Sequence, residues 1–377
     1  MTNTRTTMHP SHYLPERILS ELRSLAPAAE AMQQLHPRQL EIIYEHNWFK
    51  MFVPIGLNGS GLTLPGILRR EEALAWADGS TAWVVTLCSG AGWFAGFLDK
   101  DLSAKLFSDP KVCLAGSGAA TGTAEILEGG FLISGEWKYA SGAIHATAFT
   151  ANCILTQDDK PVVDNSNKPI VRSFVFLRDE VTLLKNWRTM GMIATGSHGF
   201  SVDKLHVTKD RQFQINDART NLSDPVYRYP FLQLAEATLA VNFSGMALQF
   251  LDLCRIACDR STNRSFQYNP GALLHQANTS MNHLRTQFYE NIETSWSYCS
   301  RGENIPDDVL RLVSDLSFRL YQNSLKLVAK VYPLLGLRGA DPNNEANRVF
   351  RNIFTASQHT LFSTRGGEDI GNGKAID

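Results

Sequence analysis

The chain has 377 residues, of which 44% are hydrophobic, so it can bury a large core and is too apolar to be disordered. Its 36 basic side chains are balanced by 37 acidic ones, and no basic block of the kind that follows a phosphate backbone is present. These properties predict a globular protein of two or three modules and argue against a nucleic-acid partner.

The N-terminal segment MTNTRTTMHPSHYLPERI lacks the apolar stretch of an export signal, and no uninterrupted apolar run reaches the length of a membrane span. We therefore expect a cytoplasmic protein with no membrane partner. The six cysteines are scattered through apolar segments without a C-x-x-C pair. Cys254 and Cys258, one helical turn apart, are interpreted as core residues, so no metal site is expected.

In chain order, residues 15–105 carry apolar side chains at spacings of three and four, which predicts helices. Residues 111–210 form short runs rich in β-branched and aromatic residues, separated by turn residues, which predicts an antiparallel β module. The sequence Glu128-Gly129-Gly130 is typical of its hairpin turns.

After Tyr229-Pro230 the helical pattern returns in four long segments, broken at Asn269-Pro270, Ile305-Pro306 and Leu335-Gly336, which predicts an up-and-down bundle. The predicted fold class is α+β, mainly α. The predicted domains are an N-terminal helical domain (1–110), a central antiparallel β domain (111–210) and a C-terminal four-helix bundle (211–377).

Four motifs lie along these elements. The sequence GSTAW ends at Trp83 in the N-terminal helices, where Ser80 or Thr81 could cap a helix. The sequence GEWKYASG (135–142) ends a predicted strand with two aromatic residues, a serine and a glycine. The sequence NWRTMGMIATGSHGF (186–200) offers two hydroxyls and free backbone amides, which can bind anionic or polar groups. The last, RNIFTASQH, ends at His359, and residues 355–364 contain neither Asp nor Glu.

The order of helices, strands and helices resembles the acyl-CoA dehydrogenase fold, and the motifs are similar to those of its two-component flavin-dependent monooxygenases, the aromatic hydroxylases. The resemblance implies that a flavin lies between the β domain and the C-terminal bundle. The residues that it implies for cofactor binding are Trp137, Tyr139, Ser141, Thr195, Gly196, Ser197 and Arg351. Those that it implies for the substrate pocket are Ser80, Trp83 and His145.

The same resemblance implies two catalytic residues. Ser141 matches a serine that faces flavin N5 and stabilises a C4a-hydroperoxyflavin, a species that needs a dry pocket with one or two placed hydrogen-bonding groups. His359 stands eight residues after Arg351, near the place where the dehydrogenases carry the Glu that removes the α-proton of an acyl thioester. An imidazole can help a phenol to lose its proton but is poorly matched to an acyl-CoA α-carbon, so the residue favours hydroxylation.

The implied protein is an oxygenase component that hydroxylates a small aromatic or phenolic substrate with O2 and reduced FMN or FAD. A separate flavin reductase would supply the reduced flavin, because no G-x-G-x-x-G follows a predicted strand as it would in a nicotinamide-binding domain. The resemblance also implies a homotetramer assembled through the C-terminal bundles.

The sequence departs from the family pattern in two places. Asn352 stands where relatives mostly carry Asp, and the segment GSGAATGTA (116–124), interpreted as a loop, lacks the elements that dehydrogenases use for CoA. Two alternatives therefore stay open. One is an acyl-CoA dehydrogenase with FAD whose base has moved to Asp252 or Asp259, and the other is a non-catalytic or flavin-free member of the fold. The glycine-rich tail after residue 364 has no assigned role.

Overall fold

The computed structural model describes residues 7–216, 220–260 and 269–362. The predicted glycine-rich tail lies outside these residues. Helices come first, as predicted from the apolar spacing. They are α1 (Glu16–Met32), α2 (Pro37–Glu45), α3 (Leu64–Ala77), α4 (Gly79–Gly92) and α5 (Lys100–Phe107).

The GSTAW motif forms the first turns of α4, but neither of its hydroxyl residues caps the helix. Asp78 Oδ2 accepts a hydrogen bond of 2.9 Å from the backbone N–H of Thr81 and one of 2.6 Å from its hydroxyl. A carboxylate satisfies an otherwise unpaired N–H at a helix start more strongly than a hydroxyl does, because it is charged. Asp78 is therefore the N-cap, and the predicted cap at Ser80 or Thr81 is wrong.

A single sheet follows the first helices. Its strands are β1 (Leu114–Leu127), β2 (Gly130–Trp137), β3 (Ala148–Gln157), β4 (Lys160–Pro161), β5 (Val171–Leu177), β6 (Thr182–Leu183), β7 (Phe200–Thr208) and β8 (Gln212–Phe213). The order is β6-β7-β2-β1-β3-β5-β8, with β4 paired to β3.

The sheet is mixed, which corrects the prediction of a purely antiparallel one. Strands β1 and β2 form the expected antiparallel hairpin around Glu128-Gly129-Gly130. Residues 138–147 then carry the chain across to the other side of β1, so that β3 runs parallel to β1. A crossover of this kind is the only way to place a sequential strand parallel to its neighbour.

The third part consists of α6 (Phe231–Asp259), α7 (Pro270–Arg301), α8 (Asp307–Val331) and α9 (Glu345–Ala356). Helix α6 is the centre of this part and packs against α3, α7, α8 and α9. It approaches α3 closely at Gly245, where a Cβ would lie 2.4 Å from the backbone oxygen of Glu72. Helix α9 has 12 residues and is shorter than predicted.

Helix α6 is the one described helix long and apolar enough to cross a membrane by composition alone. Most of the residues in its most apolar stretch are buried inside the protein, against the neighbouring helices. The same pattern is typical of the central helix of a core. The helical first part, the central sheet and the helical third part together confirm the predicted fold class.

Candidate active site

A cavity of about 690 Å³ opens where α4, the sheet, α6 and the residues after α9 meet. This volume is within the range of cavities that hold small organic ligands. Its walls combine apolar side chains with a few hydroxyl, amide and titratable groups. The polar side chains on its walls belong to Thr86, Ser117, Ser141, Thr150, Asn152, Ser173, Glu236, Thr238, His359 and Thr360.

Glycines of α4 and of the sheet shape part of the cavity wall. Gly90 in α4 and Gly118 in β1 both line it, and a Cβ on either would meet no atom within 4 Å, so both leave backbone facing open space. Gly116 lies against Thr150, whose Oγ1 would be 2.2 Å from an added Cβ. Residues 116–124 lie within strand β1, so their interpretation as a loop is wrong. Their glycines allow the close packing on β3 that a bulkier strand residue would prevent.

Ser141 lines the cavity and is held by a chain of hydroxyls. Its Oγ lies 2.9 Å from Ser197 Oγ, which lies 2.7 Å from Thr195 Oγ1. Thr195 Oγ1 in turn donates to the carbonyl oxygen of Met192 at 2.7 Å. Each hydroxyl has a single proton, so Ser197 donates to Thr195, and Ser141 donates to Ser197. Ser141 therefore turns oxygen lone pairs, not its proton, toward the cavity.

Residues 195–197, which the resemblance implies for cofactor binding, form the loop behind Ser141. Thr195 and Ser197 are buried, and their hydroxyls are engaged in orienting Ser141. Gly196, with φ near +52°, makes the left-handed turn that returns Ser197 toward Ser141. Their contact with flavin phosphate or ribityl oxygens stays a prediction, and the structure shows that both hydroxyls have protein partners.

The chain of hydroxyls continues to helix α9 through Asn352. The side-chain oxygen of Asn352 accepts a 2.6 Å hydrogen bond from the backbone N–H of Met192, whose carbonyl receives Thr195. Trp187 Nε1 donates to the same carbonyl at 2.9 Å. Asn352, at the position where relatives mostly carry Asp, is therefore a buried neutral amide that holds the loop of Met192 in place behind Ser141.

Arg351, predicted to bind the cofactor, is engaged by protein groups. Its Nε donates to Asn347 Oδ1 at 2.7 Å, and its Nη1 donates to the carbonyl oxygen of Met190 at 2.6 Å. Its Nη2 lies 2.6 Å from Glu30 Oε1. Arg351 therefore ties α9 to α1 and to the loop that carries Met192, since its donors point to these three partners.

Trp137 lies in the core of the sheet. It is fully buried between Phe176 and Phe200, with ring centroids 5.7 and 5.2 Å away, and its Nε1 donates to the carbonyl oxygen of Asn152 at 3.0 Å. A Cβ at Gly122 would lie 2.2 Å from the Trp137 ring. The alternation of strand β2 turns Trp137 into the core of the sheet, and its side chain does not line the cavity, so its contact with the flavin stays a prediction.

Tyr139 points away from that core. It has φ near +66° and its side chain is 71% exposed, with an edge-to-face contact to Trp187 at 6.1 Å between ring centroids. Tyr139 does not line the cavity. Gly142, next along the turn, has φ near +76°, and a Cβ there would lie 2.8 Å from Cys88 Sγ.

His359 lines the same cavity as Ser141, although 218 positions separate the two residues in the chain. Its Nδ1 accepts a 3.3 Å hydrogen bond from the backbone N–H of Leu361, so the proton of the neutral ring is on Nε2. Burial lowers the pKa of His359 below its ordinary value. At neutral pH the ring is therefore uncharged and carries a hydrogen-bond donor at Nε2.

None of the three predicted substrate-pocket residues lines the cavity. Trp83 contacts the His359 ring edge-to-face, with centroids 5.8 Å apart. Ser80 Oγ lies 4.0 Å from Met192 Sδ and is buried. His145 is partly buried, which lowers its pKa to about 4, and it does not line the cavity either.

Glu236 in α6 is the functional candidate that the sequence reasoning missed. It lines the cavity with only 1% of its surface exposed, and Ser314 Oγ in α8 donates to its Oε2. A glutamate inside the apolar run FLQLAEATLA was the signal that could have identified it. Asp252 and Asp259, the predicted alternative bases on this helix, do not line the cavity. Asp252 instead accepts from Trp76 Nε1 at 2.9 Å and pairs with His9 at 3.3 Å.

Comparisons with known proteins place these features among flavin enzymes. The indole-3-acetate monooxygenase of Pseudomonas putida is 26% identical over 354 residues, which cover 92% of this chain and 89% of that protein. The oxygenase subunit HsaA of a flavin-dependent monooxygenase from Mycobacterium tuberculosis is 25% identical over 241 residues, covering 62% of this chain and 59% of that one. No known family model matches the chain.

Solved structures have the same fold. The HsaA crystal structure superposes with a TM-score of 0.84 at 20% identity, covering 96% of this chain and 97% of that chain. XiaF from a Streptomyces species, solved in complex with FADH2 and glycerol, superposes with a TM-score of 0.83 at 17% identity and covers 95% and 94% of the two chains. The resemblance predicted from the four motifs is confirmed: the relatives are flavin-dependent monooxygenases with an acyl-CoA dehydrogenase-like fold.

Proposed function

We propose that this chain is the oxygenase component of a two-component flavin-dependent monooxygenase that hydroxylates a small aromatic or phenolic substrate with O2 and reduced FMN or FAD. One observation carries the proposal. Ser141 and His359, the two residues matched to catalytic positions of that class, line a single cavity of about 690 Å³ although they come from distant parts of the chain. The similarity to monooxygenases over 92% of the chain supports it.

The part of the cavity wall that carries Gly90, Gly118 and Ser141 fits a flavin ring. Gly90 and Gly118 present backbone without side chains, which suits the close approach of a flat ring. Ser141 presents lone pairs, and a reduced flavin carries an N–H donor at N5, so the two are complementary. When bound, the reduced flavin would supply the electrons that activate O2. Ser197, Thr195 and Met192 would hold the Ser141 oxygen in position during that chemistry.

The helical side of the cavity fits the substrate. His359, neutral and with its proton on Nε2, would donate a hydrogen bond to the oxygen of a phenolate, which the phenol forms by releasing its proton to water, and would stabilise that anion. This modifies the expected role of His359 from a base to a hydrogen-bond donor. Trp83 holds the imidazole ring, and Phe94, Phe213 and Phe231 keep the space around the substrate apolar. A dry site strengthens both hydrogen bonds.

The test begins without substrate. Protein is titrated anaerobically with reduced FMN and reduced FAD, and bound flavin is followed by absorbance and fluorescence. The complex is then mixed with 18O-labelled O2 and a panel of phenols, and products are analysed by mass spectrometry. We expect one labelled oxygen atom in the product; failure to bind either reduced flavin, or oxidation that yields only hydrogen peroxide with every phenol, would reject the proposal.

A pair of variants distinguishes a donor from a base at position 359. His359→Gln keeps an N–H donor in a similar place, whereas His359→Leu removes it. If the residue donates, we expect hydroxylation to fall by about 100-fold in the leucine variant and much less in the glutamine variant. Equal losses in both would show that the ring acts as a base, which glutamine cannot do.

One observation favours a second function, acyl-CoA dehydrogenation with FAD. Glu236 places a carboxyl group in the cavity, although residues 355–362 carry none and Asp252 and Asp259 lie elsewhere. Anaerobic addition of acyl-CoA thioesters to protein with oxidised FAD separates the two functions. Bleaching of the flavin would favour the dehydrogenase, and an unchanged spectrum would favour the oxygenase.

Three further features are part of the proposal. A separate reductase would deliver the flavin, because the chain carries no nicotinamide-binding motif. We propose a homotetramer formed by the C-terminal helices and a cytoplasmic location, both on the resemblance to the family. Light scattering of the purified protein tests the homotetramer, since a tetramer of 41.9 kDa chains is clearly larger than a monomer.

A further inference from the structure

Thr86 is a residue of the cavity wall whose hydroxyl hydrogen bonds can be assigned. It lies in α4, one helical turn before Gly90, and both residues line the cavity. Asn242 Nδ2 in α6 donates to the carbonyl oxygen of Thr238 at 2.9 Å and to Thr86 Oγ1 at 2.8 Å. Because a carbonyl oxygen only accepts, the amide nitrogen of Asn242 must face it, so its second proton occupies one lone pair of Thr86 Oγ1. The proton and the second lone pair of Thr86 are available to other partners.

Glu71 in α3 interacts with the same hydroxyl. Thr86 and Ser89 lie three residues apart on one face of α4, and both hydroxyls interact with the carboxyl group of Glu71. Ser89 Oγ donates to Oε1 at 3.4 Å, and Oε2 makes no hydrogen bond in the described part of the chain. Thr86 thus connects the fully buried Glu71 with the cavity.

Glu71 holds a proton at neutral pH. Its side chain is fully buried, and its hydrogen-bonding partners in the described structure are hydroxyls, not cations. Burial without a cation favours the neutral form of a carboxyl group and raises the pKa of Glu71 to about 8. Since Ser89 donates to Oε1, the proton belongs on Oε2, which can donate it to the remaining lone pair of Thr86 Oγ1.

The protonation state of Glu71 therefore determines the direction of the Thr86 hydroxyl. When Asn242 and protonated Glu71 both donate to Thr86 Oγ1, its two lone pairs are occupied and its own proton is directed to the cavity. When Glu71 is ionised, Thr86 donates to the carboxylate, because a charged acceptor binds a hydroxyl proton more strongly than a neutral one does. Thr86 is a donor toward a ligand in the first case and an acceptor in the second.

Thr86 also lies near the residue that holds His359. Trp83 precedes Thr86 by three residues on α4 and contacts the His359 ring edge-to-face. Thr86 and His359 both line the cavity, and His359 carries its donor at Nε2. Two donors in one cavity suit a substrate with two oxygen acceptors, of which the phenolic oxygen is one.

Resting on the proposed function, we propose that Thr86 is a further substrate-binding residue, which donates a hydrogen bond to an uncharged oxygen acceptor of the substrate other than the phenolic oxygen. Glu71 is the positioning residue that keeps the Thr86 hydroxyl in this direction while it holds its own proton.

Binding of such an acceptor should depend on pH. As pH rises through the pKa of Glu71, about 8, Thr86 turns to the carboxylate and the affinity falls. Other titratable groups belong to the elements around the pair or line the same cavity, and these are Glu72, Cys88, Glu236, Arg285, Tyr289 and His359. Arg285 keeps Glu72 charged and burial keeps His359 neutral in this range. Replacement of Glu71 separates its titration from those of the other groups.

The test is a binding measurement with two uncharged probes, which does not require turnover. Acetophenone and α-methylstyrene have nearly the same shape, but only acetophenone carries an oxygen acceptor. Their dissociation constants are measured by calorimetry from about pH 7 to about pH 9.5, without O2, on the full chain alone and with reduced flavin. We expect the affinity for acetophenone to fall by about tenfold across this range and that for α-methylstyrene to stay nearly constant.

Variants separate the donor from the residue that directs it. Glu71→Gln supplies an amide donor at every pH, so the affinity for acetophenone should keep its neutral-pH value throughout. Thr86→Val removes the hydroxyl and should weaken acetophenone binding by about tenfold at neutral pH, without a further pH dependence. Thr86→Ser keeps the hydroxyl and should retain both the affinity and its pH dependence. The controls Glu128→Gln and Thr294→Val change exposed residues and should behave as wild type.

Infrared spectroscopy of wild-type protein tests the same coupling if the variants do not fold. A protonated carboxyl group has a carbonyl stretching band that disappears when the group ionises. Because acetophenone binds the form with protonated Glu71, saturation with acetophenone should raise the pH at which this band disappears, and α-methylstyrene should not. An equal midpoint with both probes would contradict the coupling.

Three outcomes of the calorimetry would overturn the proposal: an affinity for acetophenone that does not depend on pH in wild type, a pH dependence that persists in Glu71→Gln or Thr86→Val, or no binding of acetophenone. These outcomes differ from failure of the proposed function. Absence of hydroxylation with intact pH-dependent binding would reject the oxygenase and leave the roles of Thr86 and Glu71 standing. Hydroxylation without this pH dependence would do the reverse.

Discussion

Glu71 and Glu72 are neighbours in α3, both fully buried, yet they belong to two polar regions of opposite character. Glu72 lies in a closed cluster between α3 and α7. Arg285 Nε and Nη2 each donate to one of its carboxylate oxygens at 2.8 Å, Tyr289 donates at 2.9 Å, and Ser244 donates as well. Every oxygen has a partner, and these bonds with Arg285 lower the pKa of Glu72 despite its burial.

Glu71 faces α4 and has weaker partners. Ser89 Oγ donates to its Oε1 at 3.4 Å, its Oε2 has no hydrogen-bond partner, and burial raises its pKa to about 8. Thr86, whose hydroxyl also interacts with Glu71, lines the cavity. The two glutamates differ because one has a cation partner and the other has none. A buried carboxylate that is paired with an arginine stays charged and stabilises the fold, whereas burial without a cation raises the pKa of a carboxyl group.

Breaking the cluster of Glu72 and Arg285 should have the largest effect on the stability of the protein. Arg285→Met leaves the carboxylate of Glu72 buried without its cation, so we expect a loss of about 3 to 5 kcal/mol in the free energy of unfolding. Arg301→Met removes an ion pair with Glu303 that lies in solvent, so its effect on stability should be small. Urea denaturation of both variants measures this, and similar losses would show that the buried pair contributes no more than a surface one.

The carboxyl group of Glu71 should make the stability of the protein depend on pH. Because the pKa of Glu71 is raised to about 8 in the folded protein, the folded state holds a proton that the unfolded chain releases above its ordinary value of 4.5. Stability contributed by protonated Glu71 is complete below that ordinary value and is lost as pH rises to about 8. Glu71→Gln should therefore gain about 3 kcal/mol or more over wild type at pH 9 and little at pH 4.

Unfolding curves at several pH values check this expectation. The exposed Glu128→Gln is the control, since its side chain is in solvent and should not alter the slope. If wild type and Glu71→Gln lose stability in parallel as pH rises, Glu71 does not hold a proton in the folded protein.

Asn352→Ala tests the connection between α9 and the cavity. The variant leaves the buried N–H of Met192 without its 2.6 Å acceptor, so we expect a loss of about 1 to 3 kcal/mol in stability. It should also loosen the loop that positions Thr195 and weaken binding of reduced flavin. An unchanged unfolding midpoint together with unchanged flavin binding would show that the loop is held by other contacts.

Ser197→Ala should have the smallest effect on stability, about 1 kcal/mol, and a distinct effect on the cavity. Without Ser197 the proton of Ser141 loses its acceptor, so Ser141 can turn its O–H toward the cavity instead of its lone pairs. Binding of reduced flavin, with its N5–H, should weaken by about tenfold relative to wild type. Ser300→Ala, an exposed serine in α7, is the control for binding and stability.

The sequence predicted secondary structure correctly where the pattern of residues reflects the burial of side chains along a single helix or strand. Spacings of three and four determined the helices around Glu16–Met32 and Phe231–Asp259, and β-branched runs determined the strands, because both patterns reflect which side chains are buried along one element. The glycines of residues 116–124 were misread as a loop, since their cause is the approach of Thr150 and Trp137 from elsewhere in the chain.

The sequence by itself determined the order of elements, the family resemblance and the choice of Ser141 and His359 as catalytic candidates, because these depend on residue type and position along the chain. Only the tertiary structure decided which side chains reach the cavity. It placed Trp137 and Arg351 among protein partners, gave Ser141 its donor order and brought Glu236 beside the ligand space. These outcomes depend on atoms far apart in sequence that meet through packing, and a hydrogen bond has a direction only when both partners are in place.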